Sequence, residues 1–314
     1  MLLGRTANGL YWMHRYIERA ENMARIVDAG LRMALTKTSD APEEWSSVVV
    51  SAGVAPGFTA RHGSVYNADT VSDYLLRDRD NGSSVASCIE VARSNARMVR
   101  TALTREAWES VNEAWMTLRV TLEKPIHESD LPPVLDQIKR LTALMRGAFH
   151  GTMLRNENFN FARIGTFIER ADNTARILDV KYYVLLPSIS YVGTNLDNYQ
   201  WESILRSVSA HRSYRWVYDV EYRPGNIADY LILNGRMPRS LHFCYRNIVD
   251  NLGFLADDYG NSPQCQSIAH KTLSTLKGNS ISQIFEFGLH EFLSGFIVQN
   301  NRLAAEIGET YNFD

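Results

Sequence analysis

Cysteine, lysine and long apolar runs are all scarce in this 314-residue chain, and each scarcity removes a class of explanation. Its three cysteines, Cys88, Cys244 and Cys265, share no CxxC spacing and cannot all pair within one chain. They point to a reduced, cytoplasmic protein rather than a disulfide framework. Without a run of about 18 apolar residues, no membrane span is expected. Met1-Leu2-Leu3-Gly4-Arg5 lacks the basic start and apolar core of a signal peptide. Neither sign of charge dominates: 33 basic side chains face 35 acidic ones, a formal net charge of −2, so nucleic-acid binding through bulk charge is excluded. HExxH, the ExxH pairs of di-iron bundles, GxxxxGK[ST], GxGxxG and GxSxG are also missing, and no metal, nucleotide or other cofactor is expected. His14 with Glu18, and Glu286 with His290, have the i,i+4 spacing of metal half-sites but read more simply as hydrogen-bonded pairs.

What is present is helical periodicity. Hydrophobic residues make up 45% and charged ones 22%, the balance of an ordinary folded domain. Residues 8–37 put Trp12, Tyr16, Ala20, Met23 and Val27 on one stripe at spacings of three and four. Further helical stretches are predicted at about 43–53, 67–77, 83–103, 105–123, 131–154, 158–186, 197–221, 225–234, 239–258, 264–277 and 281–308. Between them fall Pro56-Gly57, Asn81-Gly82, Pro187 and Pro224-Gly225. Asn81-Gly82-Ser83-Ser84 reads as a turn feeding a helix cap, and Pro238 as the first turn of a helix. Strand-like alternation is absent. The expected fold is an all-α helical bundle, either one domain over 1–314 or two packed halves of about 1–155 and 156–314.

Those halves share a motif. Tyr16-Ile17-Glu18-Arg19-Ala20-Glu21-Asn22-Met23-Ala24-Arg25-Ile26-Val27-Asp28 recurs 151 residues later as Phe167-Ile168-Glu169-Arg170-Ala171-Asp172-Asn173-Thr174-Ala175-Arg176-Ile177-Leu178-Asp179, with nine of thirteen positions identical. The spacing is too long for a solenoid and fits duplication of a helical half-bundle. Glu18, Glu21, Asn22 and Arg25 cluster opposite the Tyr16–Val27 stripe, with Arg19 at the border, and the second copy repeats the arrangement. A solvated face gives the same wheel without any function. Yet five of the nine identities are polar, at positions where solvent-facing copies would drift first. The polar faces therefore read as a buried ion-pair network or as a ligand site.

Arginine is the other excess: 27 Arg stand against 6 Lys. Codon bias accounts for that ratio, but Arg also presents a planar fork of donors suited to carboxylates and phosphates. Arg93, Arg97 and Arg100 line one face of a predicted helix and repel one another unless carboxylates or an anion answer them. Arg239 and Ser240, at a predicted helix start, place a cation and a hydroxyl beside free backbone N–H groups, an arrangement that also suits an anion. A plain proline-initiated helix reads equally from the same residues. His211-Arg212 is a further pair that would join them.

Leu10-Tyr11-Trp12 leading into Arg15-Tyr16-Ile17-Glu18-Arg19, then Asn81-Gly82-Ser83-Ser84 with Ala92-Arg93-Ser94-Asn95, then Phe167-Ile168-Glu169-Arg170, then Pro238-Arg239-Ser240-Leu241, form an ordered set. Together they resemble the bacterial alpha-E domain family, helical proteins named for a Glu-Arg motif. One departure is Gly165-Thr166-Phe167, where a Gly-Arg-type step would precede the second Glu-Arg. The resemblance implies no known activity. It does imply a genomic neighbourhood containing a circularly permuted ATP-grasp protein, with transglutaminase-like or proteasome-like peptidases, and hence a system that makes or modifies peptide or amide bonds.

Three functions follow as expectations. In the first, the chain is an accessory or substrate-presenting protein for the ATP-grasp partner. Arg19, Asn22, Arg25, Arg93, Arg97, Arg170, Asn173, Arg176, Arg239 and Ser240 would hold an anionic group, and Glu18 and Glu169 would orient the arginines. In the second it is an enzyme, with Glu18 or Glu169 as general acid/base. In the third it is a scaffold whose Glu-Arg pairs are purely structural.

Overall fold

The stripe predicted from residue 8 onward belongs to α1 (Gly4–Ala34), a 31-residue helix in the computed structural model of the chain. Described are residues 2, 4–34, 42–184, 195–218 and 222–313; parts of the predicted 8–37, 158–186 and 197–221 stretches, and Pro187, lie outside them. The remaining helices are α2 (Pro42–Ser51), α3 (Ala55–His62), α4 (Ala68–Leu76), α5 (Val85–Met98), α6 (Arg105–Thr121), α7 (Leu131–Thr152), α8 (Glu157–Val184), α9 (Asn195–Ser207), α10 (His211–Val217), α11 (Pro224–Ile232), α12 (Leu241–Tyr259), α13 (Gln264–Gly278), α14 (Ile281–Phe287) and α15 (Leu289–Thr310). No strand occurs among the described residues, and the chain is an all-α bundle.

Local chemistry sets many of the boundaries. Ser84 accepts from the Ser87 backbone N–H at 3.1 Å and starts α5, as the Asn81–Ser84 turn predicts. Asn67 with Thr70, and Ser280 with Gln283, close reciprocal capping boxes on α4 and α14. The expected 197–221 helix is two helices, because Ser209 adopts a left-handed backbone (φ 55°) between α9 and α10. Likewise the expected 281–308 helix divides at Gly288 (φ 111°). Pro56, expected to interrupt helix, instead occupies the first turn of α3, where its missing N–H costs nothing.

Packing places the two motif helices at the centre. α1 and α8 make the most extensive contact in the molecule; α5 and α7 cover α1, while α12 and α15 cover α8. Arg15 meets Glu169, His14 meets Thr166 and Arg19 meets Glu169, separations of 154, 152 and 150 residues. A nearly constant offset along the contact means the helices run parallel, each residue near its motif counterpart. The approach is close: a Cβ on Gly165 would fall 2.3 Å from the Tyr11 carbonyl oxygen. Gly165→Ala must therefore separate the two central helices, and a loss of about 1–3 kcal/mol is expected in urea unfolding; an unchanged midpoint would refute so tight a crossing.

Candidate functional site

The polar face of α1 does not see solvent. Glu18 and Glu21 are fully buried and Asn22 is 1% exposed; on α8, Glu169 is 5% and Asn173 4% exposed. The solvated-face reading of the repeat is thus overturned, since α1 is enclosed on both sides by its neighbours.

Burial makes pairing obligatory, and the pairing is reciprocal. Arg170 donates to both oxygens of Glu18, from Nε and Nη2, each at 2.9 Å. Arg19 donates to both oxygens of Glu169, at 2.6 and 3.0 Å. Each motif glutamate therefore holds the arginine of the other copy through a planar, bidentate contact. Each of these arginines also lies over the ring three residues before it, Arg19 over Tyr16 and Arg170 over Phe167.

Beyond this handclasp the two sides differ. On the Glu18 side, Arg239 extends from the segment before α12. It donates from Nη1 to Glu18 (2.9 Å) and to Oδ1 of Asn22 (3.3 Å), and from Nη2 to Glu21 (2.6 Å). Arg146 of α7 pairs with Glu21 and lies 3.5 Å from Glu18, Arg25 pairs with Glu21, and Thr142 donates to it at 3.0 Å. Two carboxylates here meet four guanidinium groups. On the Glu169 side, Arg15 adds a bond at 2.9 Å and Asp172 pairs with Arg176 at 2.6 Å, three arginines to two carboxylates. Thr166, the motif counterpart of Arg15, bonds to the Ala162 carbonyl instead, so Arg239 and Arg146 supply from elsewhere in the chain the charge that an arginine at 166 would bring.

Titration follows from this crowding. Burial alone would raise the Glu18 carboxyl, but Arg170, Arg239 and Arg146 outweigh it and hold it well below the usual carboxylate range. Glu169, opposed by burial but held by Arg19 and Arg15, is lowered to about 2; so is Glu21, chiefly through Arg239. Arg239 moves the other way, lowered to about 10, because burial and the nearby Arg25 and Arg170 outweigh its carboxylates. Burial, with the excess of cations, explains why Arg239 is lowered along with its carboxylate partners, and Arg239 stays charged at neutral pH. Burial, with Arg163 and Arg146, lowers His14 to about 3, leaving it a neutral ring.

Two openings adjoin the network. One is a cleft of about 890 Å³ beside Arg239, lined also by Arg236, Arg246, His242 and the exposed Trp216, with no carboxylate among the described residues of its wall. The other, of about 180 Å³, lies between α1 and α8 and is lined by residues of both motif copies together with Gly53 and Ser83. Gly53, at φ 70°, lets the α2–α3 turn come so close that a Cβ there would sit 2.9 Å from Nη1 of Arg176.

A family model described as Alpha-E, a predicted alpha-helical domain with a conserved ER motif, matches residues 2–312. The chain belongs to the Alpha-E family. No curated protein and no solved structure matches it.

In this Alpha-E chain the structure gathers Glu18, Arg19, Asn22, Arg25, Glu169, Arg170, Asn173, Arg176 and Arg239 around the α1–α8 contact. It does not bring Arg93 and Arg97 there. Arg93 donates to Asn112 and stacks 3.9 Å from the Trp115 ring, and Arg97 is exposed on α5. Their distance from the network removes the shared anion site expected of them. Ser240 is likewise corrected: α12 begins at Leu241, so Pro238 precedes the helix and Ser240 is its N-cap. The Ser240 hydroxyl accepts from Phe243 N–H and donates to the Asn234 carbonyl, which leaves it no donor for an anion. His211 bonds to Tyr222 rather than joining Arg239, and His290 bonds to Asp179 rather than Glu286. Among the described residues no cluster of three potential metal ligands occurs. Sequence reasoning missed Arg15, Arg146, Arg236 and Arg246; only Arg15, inside the first motif block, carried a local signal.

Proposed function

We propose that this Alpha-E chain is an accessory, substrate-presenting protein that holds an anionic group, a carboxylate or phosphate, in the cleft beside Arg239. The observation that carries this reading is the cleft wall: Arg236, Arg239 and Arg246 line it, and among the described residues no acidic side chain does. Arg236 and Arg246 form no ion pair among the described residues, so their charge is available to a ligand. Arg239 links the cleft to the buried network, where Glu18 and Glu21 fix its guanidinium. Exposed Trp216 at the rim offers a flat apolar surface to a peptide segment.

The partner we propose is a circularly permuted ATP-grasp protein in an amide-bond-forming system, with a transglutaminase-like or proteasome-like peptidase acting nearby; the likeness of the ordered motif set supports this. A cytoplasmic location accords with three cysteines that are unpaired and buried, and no helix among the described residues is long and apolar enough to cross a membrane. Reciprocal contact between the two motif copies supports an origin by duplication of a half-bundle. A general acid/base role for Glu18 or Glu169 is disfavoured, because a carboxylate held ionised by several guanidinium groups is a weak proton shuttle near neutrality.

The double variant Arg236→Ala/Arg246→Ala is expected to weaken binding of an acidic peptide at least tenfold in fluorescence anisotropy and to remove the peptide product when the ATP-grasp partner is co-expressed. Melting should be unchanged. Wild-type affinity and product in this variant would discard the cleft as the presenting site.

A further inference from the structure

Arg163 of α8 stands beside the buried network without a carboxylate of its own. It is half-buried and stacks over the rings of Phe167 (4.3 Å) and Phe159 (5.8 Å). It donates to Oδ1 of Asn247 over a long 3.4 Å and forms no ion pair among the described residues. Burial, with Arg170 and Arg155 close by, lowers it to about 10 against the pull of Glu18. Glu18 cannot answer it, because both oxygens of that carboxylate are already engaged by Arg170, Arg239 and Arg146. A guanidinium drawn partly out of water with no counter-charge is costly, and an anion from outside relieves that cost.

Arg163 also belongs to a row. Arg155, exposed just before α8, lies 4.0 Å from the centre of the Phe159 ring, and Arg170 lies over Phe167. Arginine and phenylalanine therefore alternate from residue 155 to residue 170. Alongside runs α12, antiparallel to α8, since Phe243 meets Phe167 and Asn247 meets Arg163. It adds the exposed Arg246, stacked 5.0 Å from the Phe243 ring. On α7, His150 is held below its ordinary value by burial and by Arg155 and Arg163, which places it beside the same row. The acidic residues of α8 turn elsewhere: Glu157 accepts from the Tyr259 hydroxyl, and Glu169 from Arg15 and Arg19. Asp250, exposed one turn beyond Arg246, forms no ion pair among the described residues. At its other end the row reaches the large cleft, where Arg170 bonds to the Pro238 carbonyl and Arg246 lines the wall.

We infer that Arg155, Arg163 and Arg246 form a docking track for an extended acidic peptide whose end lies in the cleft beside Arg239. The inference rests on the cleft reading for the anchored end and names the substrate class: a chain of several acidic residues, not a single carboxylate or phosphate. From Phe159 to Arg170 α8 rises about 16 Å, the length of about five residues of extended chain. One small anion cannot reach both Arg155 and the cleft. Leu154 and Phe254, 74% and 57% exposed near the far end, offer apolar anchors to a peptide. A nucleic-acid strand fits less well, because Phe159 and Phe167 are buried beneath the arginines and give a base no ring to stack on.

The test is fluorescence anisotropy of the full chain with labelled diglutamate and octaglutamate. Octaglutamate is expected to bind at least about tenfold tighter, because several arginines then act on one chain. Arg163→Gln keeps a polar stem but drops the charge. It should weaken octaglutamate at least about tenfold and diglutamate less than about twofold, without lowering the melting temperature. Arg155→Gln, at the exposed end, should weaken octaglutamate about threefold and carries the test if Arg163→Gln fails to fold. The two readings fail separately. Diglutamate bound as in wild type by Arg236→Ala/Arg246→Ala would remove the cleft as the anchor. Equal affinity for the two peptides, wild-type octaglutamate affinity in both glutamine variants, or a thymidine octanucleotide bound as tightly as octaglutamate would each overturn the docking track.

Discussion

Glu18→Ala is expected to lower the unfolding free energy by about 3–5 kcal/mol, the range for breaking a buried ion pair by removing one partner. The upper end is expected, because the alanine leaves three buried or largely buried arginines, Arg170, Arg239 and Arg146, facing a carboxylate that is gone. The desolvation cost of those cations has then been met with nothing to offset it. Urea unfolding measures the loss directly, and a double-mutant cycle isolates its cause. Glu18→Ala/Arg170→Ala should be less destabilised than the sum of its single variants, since the second substitution removes one of the stranded charges. Additive losses, or a single-variant cost under about 1 kcal/mol, would mean that water reaches the pair. Arg105→Ala, which breaks an exposed pair with Glu109, should by contrast change stability by less than about 1 kcal/mol.

Acid is the second large effect. Glu21 and Glu169 titrate near 2 in the folded chain, against 4.5 for a free glutamate, and Glu18 is lowered as well. A carboxyl lowered on folding contributes stability that is fully present above its unfolded value and lost as pH falls toward its folded one. Such a group carries on the order of 3 kcal/mol at neutral pH. His14 acts over a higher window: its unfolded ring takes up a proton near 6.5, while the buried ring resists until about 3, so the unfolded state gains protons first as pH falls. Stability measured by urea unfolding should be level near neutrality, begin to decline below about pH 6.5, and fall steeply between 4.5 and 2. A flat profile across the lower window would contradict the ion-pair network.

Much of this molecule is legible in its residues, for reasons that differ by element. The helix of residues 8–34 announces itself because its apolar stripe follows the 3.6-residue period. The nine identities shared with 167–179 flag Glu18, Arg19, Glu169 and Arg170, since two copies keep polar residues in step only under constraint. What pattern alone left open is depth. A helix wheel reads a polar face as wet, and only the packing of α5, α7 and α12 shows it to be dry. Arg239 was visible as a candidate but its neighbour Ser240 was read with it, because a hydroxyl at a helix start serves a cap or a ligand equally well. Arg146 and Arg236 carried no local mark at all; their roles arise from contacts more than a hundred residues away or from a cleft formed by separate helices. The breaks at Ser209 and Gly288 were hidden for another reason, as each interrupts an apolar period that continues on its far side.

The reciprocal clasp of α1 and α8 is the geometry of a two-fold dimer interface, in which each subunit offers its partner the same patch. Two identical subunits must place one and the same residue on both sides of their axis. A single chain escapes that obligation. It can set Arg239 on one flank and Ser83 on the other, so that one flank is closed by the protein's own guanidinium and the opposite flank keeps a small cavity. Joining the halves covalently thus makes specialisation possible: one side becomes an internal anchor, and its mirror is released to do something else.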